Sequence, residues 1–282
     1  MNFLIFLRLV PLKYLTFFIF IFFMSILCLF FVRDNKLIFF LIFTWLFVLS
    51  LLLLATYKKV FIELTSAKNG ILKKMRNDYN QLEALLNIFW TLNIQYPFPP
   101  TRGWAASPDF LRLIILNIFS RKPQTILEAS SGISSLIIAY SLKKLGKGML
   151  ISLEHDKFFY ERTKELILMH NLENYCHLIY APLVEYKIKN KIYKWYDIKS
   201  LPKDIKINLF VIDGPPGHIG RLARLPAIPL LYERLSSNCN ILLDDGARQE
   251  EKEIVKIWKR DYNFKKVEYL SELEKGAYIL EK

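Results

Sequence analysis

Two long apolar stretches begin the chain. Residues 14–32 and residues 37–57 carry no charged side chain, and each is about long enough to cross the hydrocarbon core of a bilayer as a helix. The first is too long for the apolar part of a signal peptide, and no cleavage motif follows it. The pattern predicts an N-terminal two-helix transmembrane hairpin with a tight turn at residues 33–36.

Beyond the second span, apolar positions recur at alternating spacings of three and four residues. They indicate an amphipathic helix over residues 60–93, which the prolines at 97, 99 and 100 end. We favour a stalk helix that packs on the globular part of the chain, with dimerisation through this seam as the alternative. The seam consists of Leu72, Met75, Tyr79, Leu82, Leu86 and Phe89.

From residue 108 onwards, short apolar strands alternate with helical segments. The last two strands lie only a few residues apart, which fits an antiparallel hairpin and not a parallel crossover. The pattern predicts an α/β fold with a seven-stranded Rossmann-like sheet that ends in an antiparallel hairpin. The predicted strands are residues 125–129, 149–153, 176–180, 208–212, 239–243, 265–269 and 276–280. The predicted helices are residues 108–119, 134–145, 157–171, 226–235 and 249–261, and residues 183–201 form a polar and aromatic insertion.

The segment from residue 125 to residue 156 contains the first candidate site. Glu128 lies near the end of the first strand, Ser130 and Gly132 lie in a turn of small residues, and Glu154 ends the second strand. Such a turn lets backbone N–H groups at a helix start approach a ligand closely. An acid at the tip of the second strand can accept hydrogen bonds from both hydroxyls of a ribose. The pattern predicts a nucleoside-containing cofactor, with an ordinary strand–helix–strand unit as the alternative.

The glycine content of this turn bears on which cofactor it binds. A dinucleotide fingerprint has the form G-x-G-x-x-G, and only Gly132 is present here. A sulfonium cofactor carries no phosphate and requires fewer glycines. A nicotinamide oxidoreductase is therefore disfavoured.

Acidic residues also follow the fourth and fifth predicted strands. Asp213 ends the fourth strand, and the pair Asp244 and Asp245 ends the fifth, where open α/β sheets bind ligands.

His218 follows the rigid Gly-Pro-Pro-Gly loop and is a candidate general base, with an exposed loop histidine as the alternative. Three arginines near the same edge could hold an anionic acceptor, although solvated surface charges are the interpretation we favour. These are Arg221, Arg224 and Arg248.

The net charge of +13 could suggest a nucleic-acid partner. The basic residues are scattered, however, and no zinc-finger spacing or interleaved aromatic and basic motif occurs, so we expect no nucleic-acid partner.

Basic residues outside the two spans outnumber those in the turn between them, which places both termini and the large domain in the cytoplasm. Those outside are Arg8, Lys13, Lys58, Lys59, Lys68, Lys73, Lys74 and Arg76, against Arg33 and Lys36 in the turn.

Several motifs carry a family resemblance over residues 97–282. They are PPTRGWAASPDFL, ILEASSGISS, SLEHD, the APL and WYD pieces, VIDGPPG, ARLPAIPLL and LLDDGARQEE. On these motifs the chain resembles bacterial class I S-adenosylmethionine-dependent methyltransferases with the catechol O-methyltransferase type of fold. The loop DGPPGHIGR is also similar to a short piece of the membrane-anchored glucuronoxylan methyltransferases. Ser130 stands where the family has its first glycine, and the Ala-Pro-Leu after the third strand lacks an acid for the adenine.

The resemblance implies roles for the acidic residues. S-adenosylmethionine would bind with Glu128, Ser130 and Gly132 near its methionine end and Glu154 on its ribose. Asp213, Asp244 and Asp245 would correspond to the Mg²⁺ ligands of the metal-dependent members, with Asp-Asp in place of Asp-Asn. The alternative is that Asp213 faces the cofactor and acceptor directly while the pair caps the next helix.

The expected function is therefore that of a membrane-anchored S-adenosylmethionine-dependent methyltransferase. It would O-methylate a hydroxyl of a glycan, a lipid-linked molecule or a small molecule, with Asp213 and His218 as the catalytic candidates. A non-catalytic scaffold at the membrane is the alternative. The expected domains are a transmembrane hairpin in residues 1–57, a stalk in residues 58–96 and a methyltransferase domain in residues 97–282.

Overall fold

A long helix, α1, Asn35–Leu92, contains both the predicted second span and the predicted stalk. By length and composition it could cross a membrane, with a mean hydropathy of 2.9 in its most apolar window. The computed structural model describes Phe20, Phe23, Met24, Ile26, Leu27, residues 35–101, Gly103 and residues 105–282. Most of the predicted first span, together with Cys28, Arg33, Asp34, Arg102 and Trp104, lies outside these residues.

The predicted turn between the spans differs from the structure where it can be compared. Asn35 and Lys36, which the sequence assigns to the turn, belong to α1. The described residues thus contain one 58-residue helix and no clear two-helix hairpin. The chain divides into two compact units, Met1–Arg76 and Asn77–Lys282. The domain bounds expected from the sequence stay predictions.

The second unit contains the alternating strands and helices that the sequence predicts. The helices are α2, Pro108–Arg121; α3, Ile133–Leu145; α4, Lys157–Met169; α5, Ala227–Leu231; and α6, Gln249–Asp261. The strands are β1, Thr125–Ala129; β2, Met149–Glu154; β3, Cys176–Tyr180; β4, Leu183–Ile188; β5, Lys191–Tyr196; β6, Ile207–Ile212; β7, Leu235–Leu243; β8, Lys266–Leu270; and β9, Ala277–Glu281.

Seven of these strands form one mixed sheet in the order β3-β2-β1-β6-β7-β9-β8. The first five in that order are parallel, while β9 lies antiparallel between β7 and β8. This confirms the predicted seven-stranded sheet with a terminal antiparallel hairpin. The order reverses between β1 and β6, which is the place where an open α/β sheet forms a ligand crevice.

Alternate residues of the strands contribute to two cores, one on each face of the sheet. Ile126 faces the core formed with α2, α3 and the end of α1, whereas Leu127 faces the core formed with α5, α6 and β5. Parallel strands that are covered on both faces are apolar throughout. This explains why β1, β2 and β6 read as continuous hydrophobic runs in the sequence.

The insertion between β3 and β6 is more ordered than its polar sequence indicated. Strands β4 and β5 form a separate two-stranded antiparallel sheet, closed at the pair Ile188 and Lys191. Its last two residues, Trp195 and Tyr196, are fully buried in the core that contains Leu127. The hairpin therefore covers part of one sheet face.

The predicted helix at residues 226–235 is too long. The α-helix ends at Leu231, a 3-10 turn follows over Tyr232–Arg234, and β7 already begins at Leu235. Leu235 pairs with Ile207 across a register shift in the ladder. This early pairing starts the strand four residues before the predicted position.

The last turns of α1 pack within the second unit. Gln81 donates to the Asp109 carboxylate at 2.7 Å and accepts from the Asp109 backbone N–H at 3.1 Å. The Glu274 backbone N–H donates to the same carboxylate at 2.7 Å. Ile88 and Leu92 lie in the core beside Phe110. One buried acid thus joins α1, α2 and the turn before β9.

Candidate active site

The candidate site lies at the carboxyl ends of β1, β2, β6 and β7. The backbone N–H groups of Asp213 and Gly214 both donate to the Ala129 carbonyl, at 3.1 and 2.9 Å, and the Asp244 N–H donates to the Ile212 carbonyl at 3.0 Å. These bonds continue the sheet beyond its regular ladder. They fix the acidic side chains at the crevice between β1 and β6.

Glu128 is completely buried, and hydrogen bonds reach only one of its two carboxylate oxygens. Its Oε2 accepts from the Ser135 hydroxyl at 2.5 Å and from the Ser152 hydroxyl at 2.7 Å. Its Oε1 has no hydrogen-bond partner of good geometry among the residues that the structure describes, although the nearby Ser134 hydroxyl also lowers the pKa of this carboxyl. Burial raises the pKa of this carboxyl to about 7, although the serine hydroxyls lower it. An unpaired buried oxygen of this kind requires a donor, and a cationic amino group would supply one.

The turn between β1 and α3 has a strained backbone. Ser130 has φ 107° and Gly132, which precedes the first turn of α3, has φ 140°. A positive φ at a residue with a side chain costs free energy. The Ser130 N–H donates to the Leu153 carbonyl at 3.0 Å, and the Ser152 hydroxyl oxygen lies 2.9 Å from the Ser130 carbonyl oxygen, which shares the one hydroxyl proton with Glu128.

Glu154 ends β2 as predicted, but its carboxylate already has four donors. Oε1 accepts from the N–H groups of His155 and Asp156 at 2.8 and 2.9 Å. Oε2 accepts from the N–H and the hydroxyl of Ser131 at 3.0 and 2.8 Å. A ribose that uses this carboxylate therefore has to replace Ser131.

The acids after β6 and β7 meet as the sequence predicted. One oxygen from each of Asp213, Asp244 and Asp245 lies within 4.8 Å of the others. Asp245 adopts the left-handed conformation, with φ 58°, which aspartate tolerates better than most residues do. Burial raises the pKa of Asp213 to about 6, although Arg224 opposes the shift, and burial raises the pKa of Asp244 well above its ordinary value.

Arg224 lies among these acids. Its Nη2 donates to Asp245 Oδ2 at 2.7 Å and to Asp213 Oδ1 at 3.4 Å, and its Nη1 donates to the Asp244 carbonyl at 2.9 Å. The residue is only 3% exposed. The interpretation of Arg224 as a solvated surface charge is therefore wrong, whereas Arg221 and Arg248 are largely exposed.

The three carboxylates do not fit the predicted Mg²⁺ as they stand. Magnesium demands near-ideal octahedral coordination by oxygen at close range. Asp245 Oδ2 already accepts a hydrogen bond from Arg224 and lies 3.0 Å from the Arg248 guanidinium in an ion pair. Only the Asp244 carboxylate has two oxygens without a partner in the described part of the chain. Mg²⁺ is therefore not supported.

Tyr196 brings the insertion hairpin into the site, which the sequence analysis missed. A Cβ atom on Gly214 would lie 2.2 Å from the Tyr196 hydroxyl oxygen and 3.0 Å from Ser130 Cβ. Only glycine fits at this contact. The Tyr196 hydroxyl is buried and unpaired within the described residues, and burial raises its pKa well above the ordinary value. Its ring lies 5.6 Å from that of His155.

The structure brings most of the predicted site residues together. Glu128, Ser130, Gly132 and Glu154 surround one turn, and Asp213, Asp244 and Asp245 form one cluster. His218 is exposed on a 3-10 turn, Gly217–Ile219, so its role as a base stays a prediction. The residues that the sequence analysis missed are Ser131, Ser135, Ser152, Tyr196 and, as a buried group, Arg224. Only the run of small residues beside Glu128 gave a signal for any of them.

Comparison with known proteins rests on structure. No family model and no curated protein sequence matches the chain. A methyltransferase of Podospora anserina, solved with SAH bound, is similar with 17% identity and a TM-score of 0.51, over 70% of this chain and 86% of that one. An O-methyltransferase of Bacillus cereus in complex with SAH has 14% identity and a TM-score of 0.49, over 72% and 90%. The likeness to the Podospora anserina methyltransferase shows that the chain shares the fold of that protein.

Proposed function

We propose that the protein is a membrane-anchored, S-adenosylmethionine-dependent methyltransferase that O-methylates a hydroxyl group. The observation that carries this proposal is Glu128. One of its buried oxygens is held by two serines, and the other has no partner within the described residues. It lies beside the turn at the start of α3, at the reversal of strand order. An amino acid ammonium group, such as the methionine end of the cofactor, matches this acceptor.

Calorimetric titration of the full-length protein in detergent with S-adenosylhomocysteine tests the cofactor site. We expect saturable binding that Glu128→Gln weakens about tenfold or more, because the variant loses a charge-assisted hydrogen bond. Glu165→Gln, an exposed change on α4, serves as the matched control and should bind as the parent chain does. If S-adenosylhomocysteine does not bind to the folded parent protein, the proposed methyltransferase function is refuted.

A cavity beside the insertion hairpin supports a small-molecule or glycan acceptor. It has a volume of about 490 Å³ and is lined by β4–β5 residues and by residues 219–223. None of the acids of the candidate site lines it, but residues 219–223 lie between Asp213 and Arg224 in the chain. Its size is typical of ligand sites. Its basic lining residues are Lys191, Lys194 and Arg221. We assign the acceptor to this side of the crevice, with a glycan, lipid-linked or small-molecule hydroxyl as its reactive group.

Membrane anchoring is the second part of the proposal. The first part of α1 is long and apolar enough to cross a bilayer, and its apolar side chains are exposed. Together with the preceding apolar stretch, residues 14–32, it would form two spans. The basic residues on the outer sides of both stretches favour cytoplasmic termini and a cytoplasmic catalytic domain.

A homodimer is the partner that the exposed seam of α1 supports. Five of its six apolar side chains are exposed, whereas Phe89 packs against Phe98. Spacings of three and four residues are those of a helix that packs along another helix. Leu82→Cys should form a disulfide-linked dimer in membranes under oxidation, and Glu83→Cys, on an adjacent face, should form less. Equal cross-linking at both positions would contradict this seam.

A non-catalytic scaffold is the second candidate, favoured by one observation. All four hydrogen bonds to Glu154 come from the protein itself, as they would if no ribose ever bound there. The titration with S-adenosylhomocysteine separates the two candidates, because a scaffold has no need to bind the cofactor.

A further inference from the structure

The Arg224 guanidinium has the surroundings of a bound cation. Three carboxylates lie around it: Asp245 at 2.7 Å, Asp213 at 3.4 Å and Glu251 at 3.8 Å. The Asp244 backbone carbonyl accepts a further hydrogen bond at 2.9 Å. Arg224 and the three carboxylates around it are almost fully buried, so water screens their charges poorly.

The backbone around Arg224 is held on both sides. The Leu222 N–H donates to the Glu250 carboxylate at 3.0 Å, and the Leu225 carbonyl accepts from the Trp258 indole N–H at 2.9 Å. Both partners lie on α6. Leu222 also adopts the left-handed conformation, with φ 56°. The loop is therefore anchored so that the guanidinium reaches the carboxylates of β6 and β7.

We propose that Arg224 takes the place of a divalent cation at this site and is the positioning residue for Asp213. This inference rests on the proposed function, since it concerns the same crevice. The guanidinium neutralises Asp213 and Asp245 and fixes their orientation through directional N–H bonds. The protein then needs no metal ion to hold its acidic residues together.

Arginine and a metal ion would compete for these carboxylates. An ion about 2.1 Å from Asp245 Oδ2 would lie at most about 5 Å from Arg224 Nη2, because that nitrogen is 2.7 Å from the same oxygen. Arg248 is 3.0 Å from the same oxygen. Two positive side chains therefore already lie at Asp245 Oδ2. Like charges at this separation in a buried site repel strongly.

The test is the binding of Mn²⁺, which electron paramagnetic resonance detects without any substrate. Full-length protein is freed of metal with a chelator and titrated in detergent. We expect no saturable binding to the parent chain below about 1 mM, which is the weak end of protein sites for hard divalent cations. Saturable binding to the parent chain that Asp244→Asn abolishes would overturn the proposal.

Removal of the guanidinium should create the metal site. Arg224→Ala is expected to bind Mn²⁺ at least about tenfold more tightly than the parent chain, because an unpaired buried acid cluster attracts a cation. Arg224→Lys keeps the charge and should not gain binding, and Arg221→Ala, an exposed neighbour, is the matched control. A folded Arg224→Ala protein without new Mn²⁺ binding would assign Arg224 a merely structural role and overturn the proposal.

Two further outcomes can be told apart: an Arg224→Ala protein that does not fold, and a parent protein that does not bind the cofactor. If Arg224→Ala does not fold, the parent chain and Arg224→Lys still decide: Mn²⁺ binding by either one at the cluster contradicts the inference. S-adenosylhomocysteine titration of the same samples reports separately on the proposed function. If the Mn²⁺ results are as expected but S-adenosylhomocysteine does not bind, the proposed methyltransferase function is refuted. The inference that Arg224 replaces a divalent cation then still stands.

Discussion

The Ser131 hydroxyl donates a 2.8 Å hydrogen bond to Glu154, the acid that the sequence assigns to the ribose of the cofactor. The same hydroxyl lies 3.0 Å from the Thr163 hydroxyl, and the Ser131 N–H also donates to Glu154. In this conformation the protein itself supplies the donors that a ribose would bring. Cofactor binding then competes with an internal contact.

Ser131→Ala should tighten the binding of S-adenosylhomocysteine. The variant loses the hydroxyl that occupies Glu154, and a hydrogen bond to a charged group contributes about 1.5–3 kcal/mol, part of which binding has to offset. We expect an affinity gain of about three- to tenfold in calorimetry. Thr163→Val, which removes only the neighbouring hydroxyl, is the control and should change affinity little.

The opposite result would also be informative. Weaker binding by Ser131→Ala would mean that this hydroxyl contacts the cofactor directly. Glu154→Gln, which keeps the side-chain volume, should weaken binding in either case. Unchanged affinity in a folded Glu154→Gln protein would place the ribose elsewhere.

Cofactor affinity should rise with pH through about 7 because of Glu128. The pKa of this buried carboxyl is raised to about 7, so below that pH it has to lose a proton before it can pair with an ammonium group. We expect affinity for S-adenosylhomocysteine to fall about tenfold for each pH unit below 7, as a single linked proton requires. Glu128→Gln should bind weakly with a much flatter pH dependence.

The stability of the cofactor-free protein should change in the opposite sense. The unfolded chain loses the Glu128 proton near the ordinary value of 4.5, whereas the folded chain keeps it until about 7. The folded state then binds more protons, so the free energy of unfolding falls as pH rises from about 4.5 to about 7. Denaturant melts of Glu128→Gln should lack this part of the decline. An identical decline in both proteins would assign it to other groups.

Asp213→Asn should fold normally and lose about 100-fold in methyl transfer. The substitution nearly preserves volume but removes the charge that orients the reacting groups at the crevice, and misplaced positioning groups reduce turnover by this order. Transfer of labelled methyl groups from S-adenosylmethionine to washed membranes measures it, with exposed Asp204→Asn as control. Turnover close to that of the parent chain would remove Asp213 from the site.

Reporter fusions should place both sides of the proposed spans. A reporter after Lys59 and one after Lys282 are both expected to report the cytoplasm, because the basic residues outside the two apolar stretches favour that side. A reporter in the turn near Asp34 should report the opposite side. An extracytoplasmic signal from either of the first two fusions would contradict the topology.

Local pattern predicted the order of strands and helices well because the strands are short and mostly apolar, whereas the helices between them, such as Gln249–Asp261, repeat their apolar residues at helical spacing. It failed where long-range pairing decides the structure. Leu235 begins β7 because it pairs with Ile207, a contact that no window of local sequence contains. In the hairpin, the alternation of exposed and partly buried side chains from Val184 to Ile188 was a usable signal, but the polar and aromatic composition of the insertion obscured the pattern.

The acids of the site were predictable, since they follow the ends of parallel strands. Their partners were not. Ser131 belongs to the predicted turn, yet its bond to Glu154 depends on how that turn closes. Arg224 reads as one of several surface arginines, because nothing within a few residues of it shows that the loop anchored on α6 buries it. Burial of a charge depends on tertiary contacts that sequence periodicity does not report.

The bonds between Gln81 and Asp109 determine where the chain can be cut to obtain a membrane-free fragment for crystallisation. A fragment that starts at Pro97 would lack Gln81, Ile88 and Leu92, leave the Asp109 carboxylate short of a donor and uncover Phe110. Its aggregation would then reflect the choice of starting residue and not an unstable sheet. A fragment that starts near Asn77 keeps all of these contacts, so it is the better choice of starting residue.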